Sequence, residues 1–115
     1  MRIACAILIA CLWAGPTYAF DALSDRKAFL DVVVGKTLNR RGITLQVISN
    51  GKIAGRAFGG KVTGSWTWEG SNFCRTLYWG RNEIPRNCQA VSVRGNTLRF
   101  QADRGLGEIA DFRME

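Results

Sequence analysis

Few residue types in this chain of 115 residues could support catalysis. It contains no histidine, which removes Ser-His-Asp and Cys-His nucleophile systems together with the commonest zinc ligand. Carboxylates remain, and paired carboxylates can do the acid–base work of glycosidases. Two groups are candidates: Asp103, Glu108 and Asp111 near the C-terminus, and Glu69 with Glu83, which could flank the ends of a hairpin. Because 9 acidic residues are scattered among 16 basic ones, solvated surface charge is the favoured interpretation. We expect no catalytic residue, no metal and no cofactor.

Arginines and aromatic rings are candidates for binding rather than for catalysis. A planar guanidinium suits carboxylate, phosphate and sulfate groups, and the arginines fall largely near predicted turns. The aromatic residues either fill a narrow interior, which is the favoured interpretation, or grip a ligand or partner. The candidate binding residues are Trp66, Trp68, Tyr78, Trp79, Arg75, Arg81 and Arg86.

Strand alternation predicts different orientations for these rings. Trp79 shares a face with Leu77 and is expected to point inward, whereas Tyr78 faces outward and is the better candidate for an exposed rim. Gly64 lies on the same face as Trp66, and its missing side chain is expected to make room for large rings inside a narrow barrel.

The first nineteen residues have the pattern of a cleaved export signal. Arg2 supplies positive charge, the apolar run 3–14 is too short to span a bilayer, and 17–19 offers small residues to signal peptidase. We therefore expect a signal peptide over 1–19 and one periplasmic or secreted domain over 20–115. The remaining chain has no apolar stretch long enough to cross a membrane.

Removal of this signal would leave two of the four cysteines. Cys5 and Cys11 belong to the signal, and Cys74 and Cys88 remain on adjacent predicted strands. In an oxidising compartment the remaining pair is expected to form a disulfide, whose ring is worth roughly 3 kcal/mol. A less favoured alternative is a lipoprotein anchored at Cys11, since 8–10 before it is similar to a lipobox.

Short strands are the elements that must position these residues. The one good helix candidate is Leu23–Val34, with Ser24 as N-cap and Gly35 at its end. Alternating runs separated by glycine-rich turns follow, and a polar loop, Gly80–Arg86, joins the two cysteine-bearing strands. The eight candidate strands are 36–40, 43–48, 52–58, 61–68, 73–79, 87–93, 97–102 and 108–114.

Sequential hairpins of this kind must bury one face, and at this size they do so by closing into a barrel or a tight sandwich. Closure into a barrel also removes exposed strand edges. The predicted fold class is therefore mainly β: a small, monomeric, antiparallel up-and-down β-barrel of about eight strands with one N-terminal helix.

Five motifs carry a family resemblance: GKTL at 35–38, GSWTWEG at 64–70, FCRTLYWG at 73–80, NCQ at 87–89 and DRGLGE at 103–108. Together they resemble a family of small exported bacterial proteins with one cysteine pair, often labelled dihydrodipicolinate reductase. The resemblance covers nearly the whole predicted domain, and the label implies a nicotinamide-dependent enzyme. The residues do not favour that activity, because they include no dinucleotide fingerprint and are too few for a cofactor domain plus a substrate domain.

At the level of the fold the chain also resembles calycins, the lipocalin and bacterial protease-inhibitor type of barrel. Gly64-Ser65-Trp66 is similar to the lipocalin Gly-x-Trp motif, and the resemblance implies that Arg113 on the last strand stacks on a tryptophan. The motif lies mid-chain here rather than near the first strand, so no lipocalin ligand site is carried over.

The leading functional hypothesis is a non-enzymatic binding protein. Its ligand would be a small apolar molecule inside the barrel, or an anionic partner (a lipid head group, a glycan or an acidic protein) at the arginine-bearing turns. Nucleic acid is disfavoured by the compartment. The alternatives are an inhibitor of an exported hydrolase, which would insert loop 80–86 or the chain start near Phe20, and the reductase that the family label implies.

Overall fold

Residues 19–115 are described by the computed structural model of this chain. The predicted export signal and the lipobox alternative therefore lie outside the described residues, apart from Ala19. The elements, in chain order, are β1 (Asp21–Leu23), α1 (Arg26–Val33), β2 (Leu38–Arg40), β3 (Ile43–Val47), β4 (Lys52–Ala57), β5 (Gly60–Glu69), β6 (Asn72–Trp79), β7 (Asn82–Arg94), β8 (Thr97–Gln101), α2 (Ala102–Gly105) and β9 (Ile109–Met114).

The strands from β2 to β9 form a closed antiparallel barrel of eight strands, which confirms the predicted meander. Each strand pairs with the next one along the chain, and β9 pairs with β2, where Leu38 lies opposite Met114. Closure leaves each strand of the barrel with two neighbours, so alternate side chains meet in one interior.

A short first strand, β1, precedes the helix and was not predicted. It pairs with β7 through Asp21 opposite Val93, and it shortens the helix from the expected Leu23 start to Arg26. The expected N-cap is also wrong, because the carboxylate of Asp25, rather than Ser24, accepts a hydrogen bond from the Ala28 backbone N–H at 2.8 Å.

Helix α1 closes one end of the barrel. Its residue Phe29 is fully buried, and the ring centroid lies 5.5 Å from that of Trp66, 5.2 Å from Trp68 and 5.0 Å from Phe73. Val33, one turn later on the same helix face, is also fully buried. The barrel is therefore filled with aromatic rings under α1, and we call this side the helix end.

The long strand β7 pairs with β6 over its first half and with β8 over its second half. Cys74 lies directly opposite Cys88 and is joined to it by the predicted disulfide. The pairing then shifts from Arg75–Asn87 to Leu77–Ile84, so β7 carries a bulge of one extra residue.

The prediction of a polar loop over 80–86 is wrong. Trp79 pairs with Asn82, so Gly80 and Arg81 form a two-residue turn and β7 begins immediately after it. Residues 82–86 are all exposed, although the backbone of 82–84 is paired with β6 and 85–86 form the bulge.

Gly64 makes room for a leucine rather than for a tryptophan ring. It lies opposite Leu77, whose side chain occupies the space where the glycine Cβ would be. The expectation that this glycine accommodates Trp66 or Trp68 is therefore wrong, since both rings lie further along β5, packed against α1.

Candidate functional site

A cavity of about 130 Å³ lies inside the barrel, next to the aromatic layer under α1, and is partly open to solvent. Nine of the residues that line it are apolar: Leu38, Leu45, Val47, Ile53, Phe73, Leu77, Phe100, Ala110 and Phe112. The two polar ones are Arg75 and Gln89, from the adjacent strands β6 and β7. This composition, a mostly apolar wall with a few polar groups, is typical of small-molecule sites.

Arg75 is placed in this wall by strand alternation, since it lies between the cavity-lining residues Phe73 and Leu77 on β6. It is half-buried, and its Nη1 donates a hydrogen bond of 2.9 Å to the carbonyl oxygen of Pro85 in the β7 bulge. Burial lowers the pKa of the guanidinium because desolvation disfavours its charged form, although an arginine remains protonated at neutral pH.

No carboxylate forms an ion pair with Arg75 within residues 19–115. A guanidinium carries five N–H donors, and Arg75 donates one of them to the carbonyl oxygen of Pro85. The remaining donors are available to an acceptor in or beside the cavity. Among the candidate binding residues, Arg75 alone lines this cavity.

The two tryptophans of β5 lie at the helix end and not in the cavity wall. Trp66 is buried, and its Nε1 donates to the carbonyl oxygen of Ile48 at 2.9 Å. Trp68 is partly buried, and its Nε1 has no hydrogen-bond partner within residues 19–115. Their contacts with Phe29 make them part of the packing that closes this end.

Trp79 lies on the inward face of β6, as predicted, because it is opposite the buried Val62, but it is not enclosed in the core. It is 41% exposed at the last position of β6, where the strand passes the barrel rim, and its ring lies 6.4 Å from that of Phe58. Its Nε1 donates to the carbonyl oxygen of Ala57 at 2.8 Å, and its indole covers Gly60. Tyr78 is 40% exposed, as its predicted outward orientation requires.

Arg81 and Arg86 lie on the same hairpin but at different levels. Arg81 is exposed in the turn between β6 and β7. Arg86, in the bulge, forms an ion pair with Glu69 across the outer face, and its hydrogen bond holds the pKa of that carboxyl below its usual range. A shallow outer hollow of about 110 Å³ is lined by both Arg75 and Arg86.

The candidate carboxylate pairs do not assemble. Glu69 lies opposite Asn72 at the start of β6 and Glu83 opposite Tyr78 near its end, a separation of six strand positions or about 20 Å. Glycosidase pairs are about 5–9.5 Å apart, so this pair is too far apart for that chemistry.

The C-terminal carboxylates are engaged with different partners. Asp103 accepts a hydrogen bond from the Asn87 amide at 2.8 Å, whereas Asp111 accepts two from Arg99, at 2.8 and 3.0 Å. The Arg99 guanidinium lowers the pKa of Asp111 mainly through its hydrogen bond. Asp103 thus joins α2 to β7, whereas Asp111 joins β9 to β8, and each carboxylate has its own structural partner.

The prediction that Arg113 stacks on a tryptophan is wrong. Its Nε lies 3.2 Å from a carboxylate oxygen of Glu115 and its side chain is exposed. A different arginine, Arg26 from α1, stacks over Trp66 at 5.3 Å from the ring centroid. The tryptophan is thus covered by the helix and not by the last strand.

Within residues 19–115, one group of metal-ligating residue types comes together, Glu69 with Cys74 and Cys88. Both sulfurs are committed to the disulfide, so they offer no thiolate to a metal ion. In the same part of the chain, neither helix has the length and apolar character that a membrane span requires.

Sequence reasoning missed two residues of interest, Gln89 and Phe58. Gln89 gave no signal, because its entry into the cavity wall depends on barrel closure. Phe58 was assigned to a strand, but it lies in the β4–β5 turn with φ of 51° and is 68% exposed. The following pair of glycines was the available signal for a turn at this point.

Comparisons of this chain with protein-family models, with curated proteins and with solved structures gave no match.

Proposed function

We propose that this chain is a non-enzymatic binding protein whose barrel holds a small amphipathic anion, with an apolar body and a carboxylate head group. The observation that carries the proposal is Arg75, a half-buried cation in an otherwise apolar cavity wall, without a carboxylate partner in residues 19–115. Partial burial disfavours the charged form of this guanidinium, and a bound anion would offset that desolvation cost.

The size of the cavity limits the apolar body of the ligand. A dry apolar cavity of about 150 Å³ accommodates benzene, and this one measures about 130 Å³. A body of about six carbon atoms therefore fits inside, and a longer chain would extend through the opening. The amide of Gln89 adds a second polar contact on the same side of the cavity as Arg75.

Two broader features support this proposal. Small antiparallel barrels of eight strands hold one small ligand in lipocalins, and this supports a calycin-like assignment as well. The disulfide supports the predicted export to an oxidising compartment. The inhibitor alternative has less support, because loop 80–86 is a two-residue turn and the ring of Phe20 is held by Arg99 at 3.7 Å.

Calorimetric titration with hexanoate and with hexanol tests the proposal directly. Hexanoate is expected to bind the wild type, and Arg75→Met to weaken its binding at least about tenfold while leaving that of hexanol unchanged, since a hydrogen bond to a charged group is worth about 1.5–3 kcal/mol. Arg86→Met is the matched control, because this arginine is paired on the outer face.

A second variant tests the cavity itself. Ala110 lines it, so Ala110→Leu should fill part of the space and weaken binding of both ligands. Equal hexanoate affinity in the wild type and in Arg75→Met would refute the anionic head group. Native mass spectrometry of protein recovered from its own host, showing bare protein mass throughout, would argue against a resident ligand.

A further inference from the structure

We propose that the end of the barrel opposite α1 docks on a membrane surface rich in anionic lipids. The contact is made by three hairpin turns that present aromatic rings among basic side chains. The turns are Arg41-Gly42, Phe58-Gly59 and Gly80-Arg81, and together with Tyr78 and Trp79 we call them the tip surface. This surface is separate from the interior cavity, and its residues do not line that cavity.

The three turns lie at one level and are joined to one another. The backbone N–H of Phe58 donates to the carbonyl oxygen of Gly42 at 2.8 Å, which ties the second turn to the first. The indole of Trp79 donates to the carbonyl oxygen of Ala57 at 2.8 Å, which ties the third turn to the second. The three turns are thus held together by hydrogen bonds, and a hollow lined by Arg41 and Phe58 lies beside them.

Three aromatic rings of the tip surface face solvent. Phe58 is 68% exposed, Trp79 41% and Tyr78 40%. The φ of 51° at Phe58 is unfavourable for an aromatic residue, and its exposed ring recovers little of that cost through burial. The ring lies against Gly42 and edge-on to Trp79, and most of the residue remains exposed to solvent.

Basic side chains surround these rings. Arg41, Arg56, Lys61 and Arg81 are all exposed, and within residues 19–115 none of them forms an ion pair. Arg56 donates to the carbonyl oxygen of Gly59 at 2.9 Å, which places its charge at the middle turn. Two acids lie close by: Glu83 is opposite Tyr78, and Asp111 lines a hollow with Arg41 and Phe58 but is paired with Arg99. The tip surface therefore keeps an excess of positive charge.

An anionic bilayer matches this combination of charge and shape. Tryptophan and tyrosine rings settle at the level of the lipid head groups. Each basic residue near an anionic surface adds about 1 kcal/mol of electrostatic attraction. A partner's cleft would receive one protruding loop, whereas three turns at one level are complementary to a flat surface. The lipid surface is therefore the occupant that the geometry favours.

Co-sedimentation of the full chain with vesicles tests this assignment. Vesicles of equal parts phosphatidylglycerol and phosphatidylcholine are compared with phosphatidylcholine alone, and binding is expected with the first kind. Phe58→Asn should weaken vesicle binding about tenfold or more, because the variant loses the free energy of burying a phenylalanine ring in the bilayer surface. Asparagine tolerates a positive φ, so the fold is retained.

Matched controls lie at the helix end. Val34 is 49% exposed beside α1, and Val34→Asn should leave binding unchanged. Lys61→Gln should weaken binding about fivefold, whereas Lys52→Gln, an exposed lysine at the helix end, should not. All variants share residues 1–18, so any contribution of that apolar segment cancels in the comparison.

Three results would overturn the proposal. One is equal binding to vesicles with and without phosphatidylglycerol. Another is equal loss in Phe58→Asn and Val34→Asn. The third is concentration-dependent dimerisation that Phe58→Asn abolishes in the absence of lipid, which would make the tip surface an interface between copies of this chain. Arg75→Met should leave vesicle binding unchanged, so the outcome is independent of the cavity proposal.

Discussion

The ring of Phe29 lies 5.0 Å from that of Phe73, and this contact joins helix α1 to the barrel interior. Phe29 is fully buried and also contacts both tryptophans of β5. One side chain thus connects the helix to two adjacent strands and closes one end of the barrel.

Phe29→Ala is therefore expected to lower the free energy of unfolding by about 3–5 kcal/mol, the usual cost of truncating a buried phenylalanine. Urea unfolding followed by tryptophan fluorescence measures it. The control is Leu106→Ala, since Leu106 is 90% exposed and its truncation should change stability by less than about 0.5 kcal/mol. Similar effects of the two substitutions would contradict the role of Phe29.

Gly64→Ala is expected to destabilise the barrel by about 1–3 kcal/mol, the usual cost of overpacking. A Cβ at this position would lie 2.5 Å from the carbonyl oxygen of Thr76 and 2.8 Å from Cδ2 of Leu77, so strand β6 would have to shift. Chemical denaturation measures the loss. Gly70→Asn is the control, because nothing lies within 4 Å of its Cβ position and asparagine tolerates its φ of 64°.

Replacement of both Cys74 and Cys88 by alanine is expected to lower stability by roughly 3 kcal/mol, as loop-closure entropy predicts for a ring of this size. Chemical unfolding of the wild type, oxidised and reduced, should reproduce that difference. Thiol labelling of the unfolded oxidised protein should leave both sulfurs unmodified. Labelling of both would show that the disulfide does not form.

Asp111→Asn is expected to destabilise the protein near neutral pH and to have progressively less effect in acid. Arg99 lowers the pKa of Asp111 in the folded state, so the stabilisation is present above the unfolded value of about 3.9 and is lost as pH falls through the folded one. Melting temperatures of both proteins between about pH 2 and 7 measure this. A constant difference over that range would exclude the linkage.

Much of the barrel was predictable because strand alternation is a local property. The alternation of polar and apolar residues, with glycines between the runs, predicted all eight strands of the barrel and the pairing of Cys74 with Cys88. Strand β1 was not predicted, because three residues are too few to show an alternation of polar and apolar side chains. Its only strand partner is the second half of β7.

The loop predicted over 80–86 shows why polarity alone misassigns a strand. Both faces of this part of β7 are exposed, so burial does not alternate along it, although the backbone of 82–84 is paired with β6. The exposure of Trp79 was not predicted for a related reason. Alternation assigned it to a face, but the residue lies where the strand leaves the barrel, and position along the axis is not encoded in that alternation.

The sequence by itself determined the strands, their order and the cysteine pairing, since each follows from side-chain periodicity and turn residues within one hairpin. The tertiary structure alone decided which residues meet across the barrel. Arg75 and Gln89 enter an apolar cavity, and Phe58 meets Trp79 at the tip surface, because closure fixes distances between strands that are remote in the chain. Local patterns do not contain those distances.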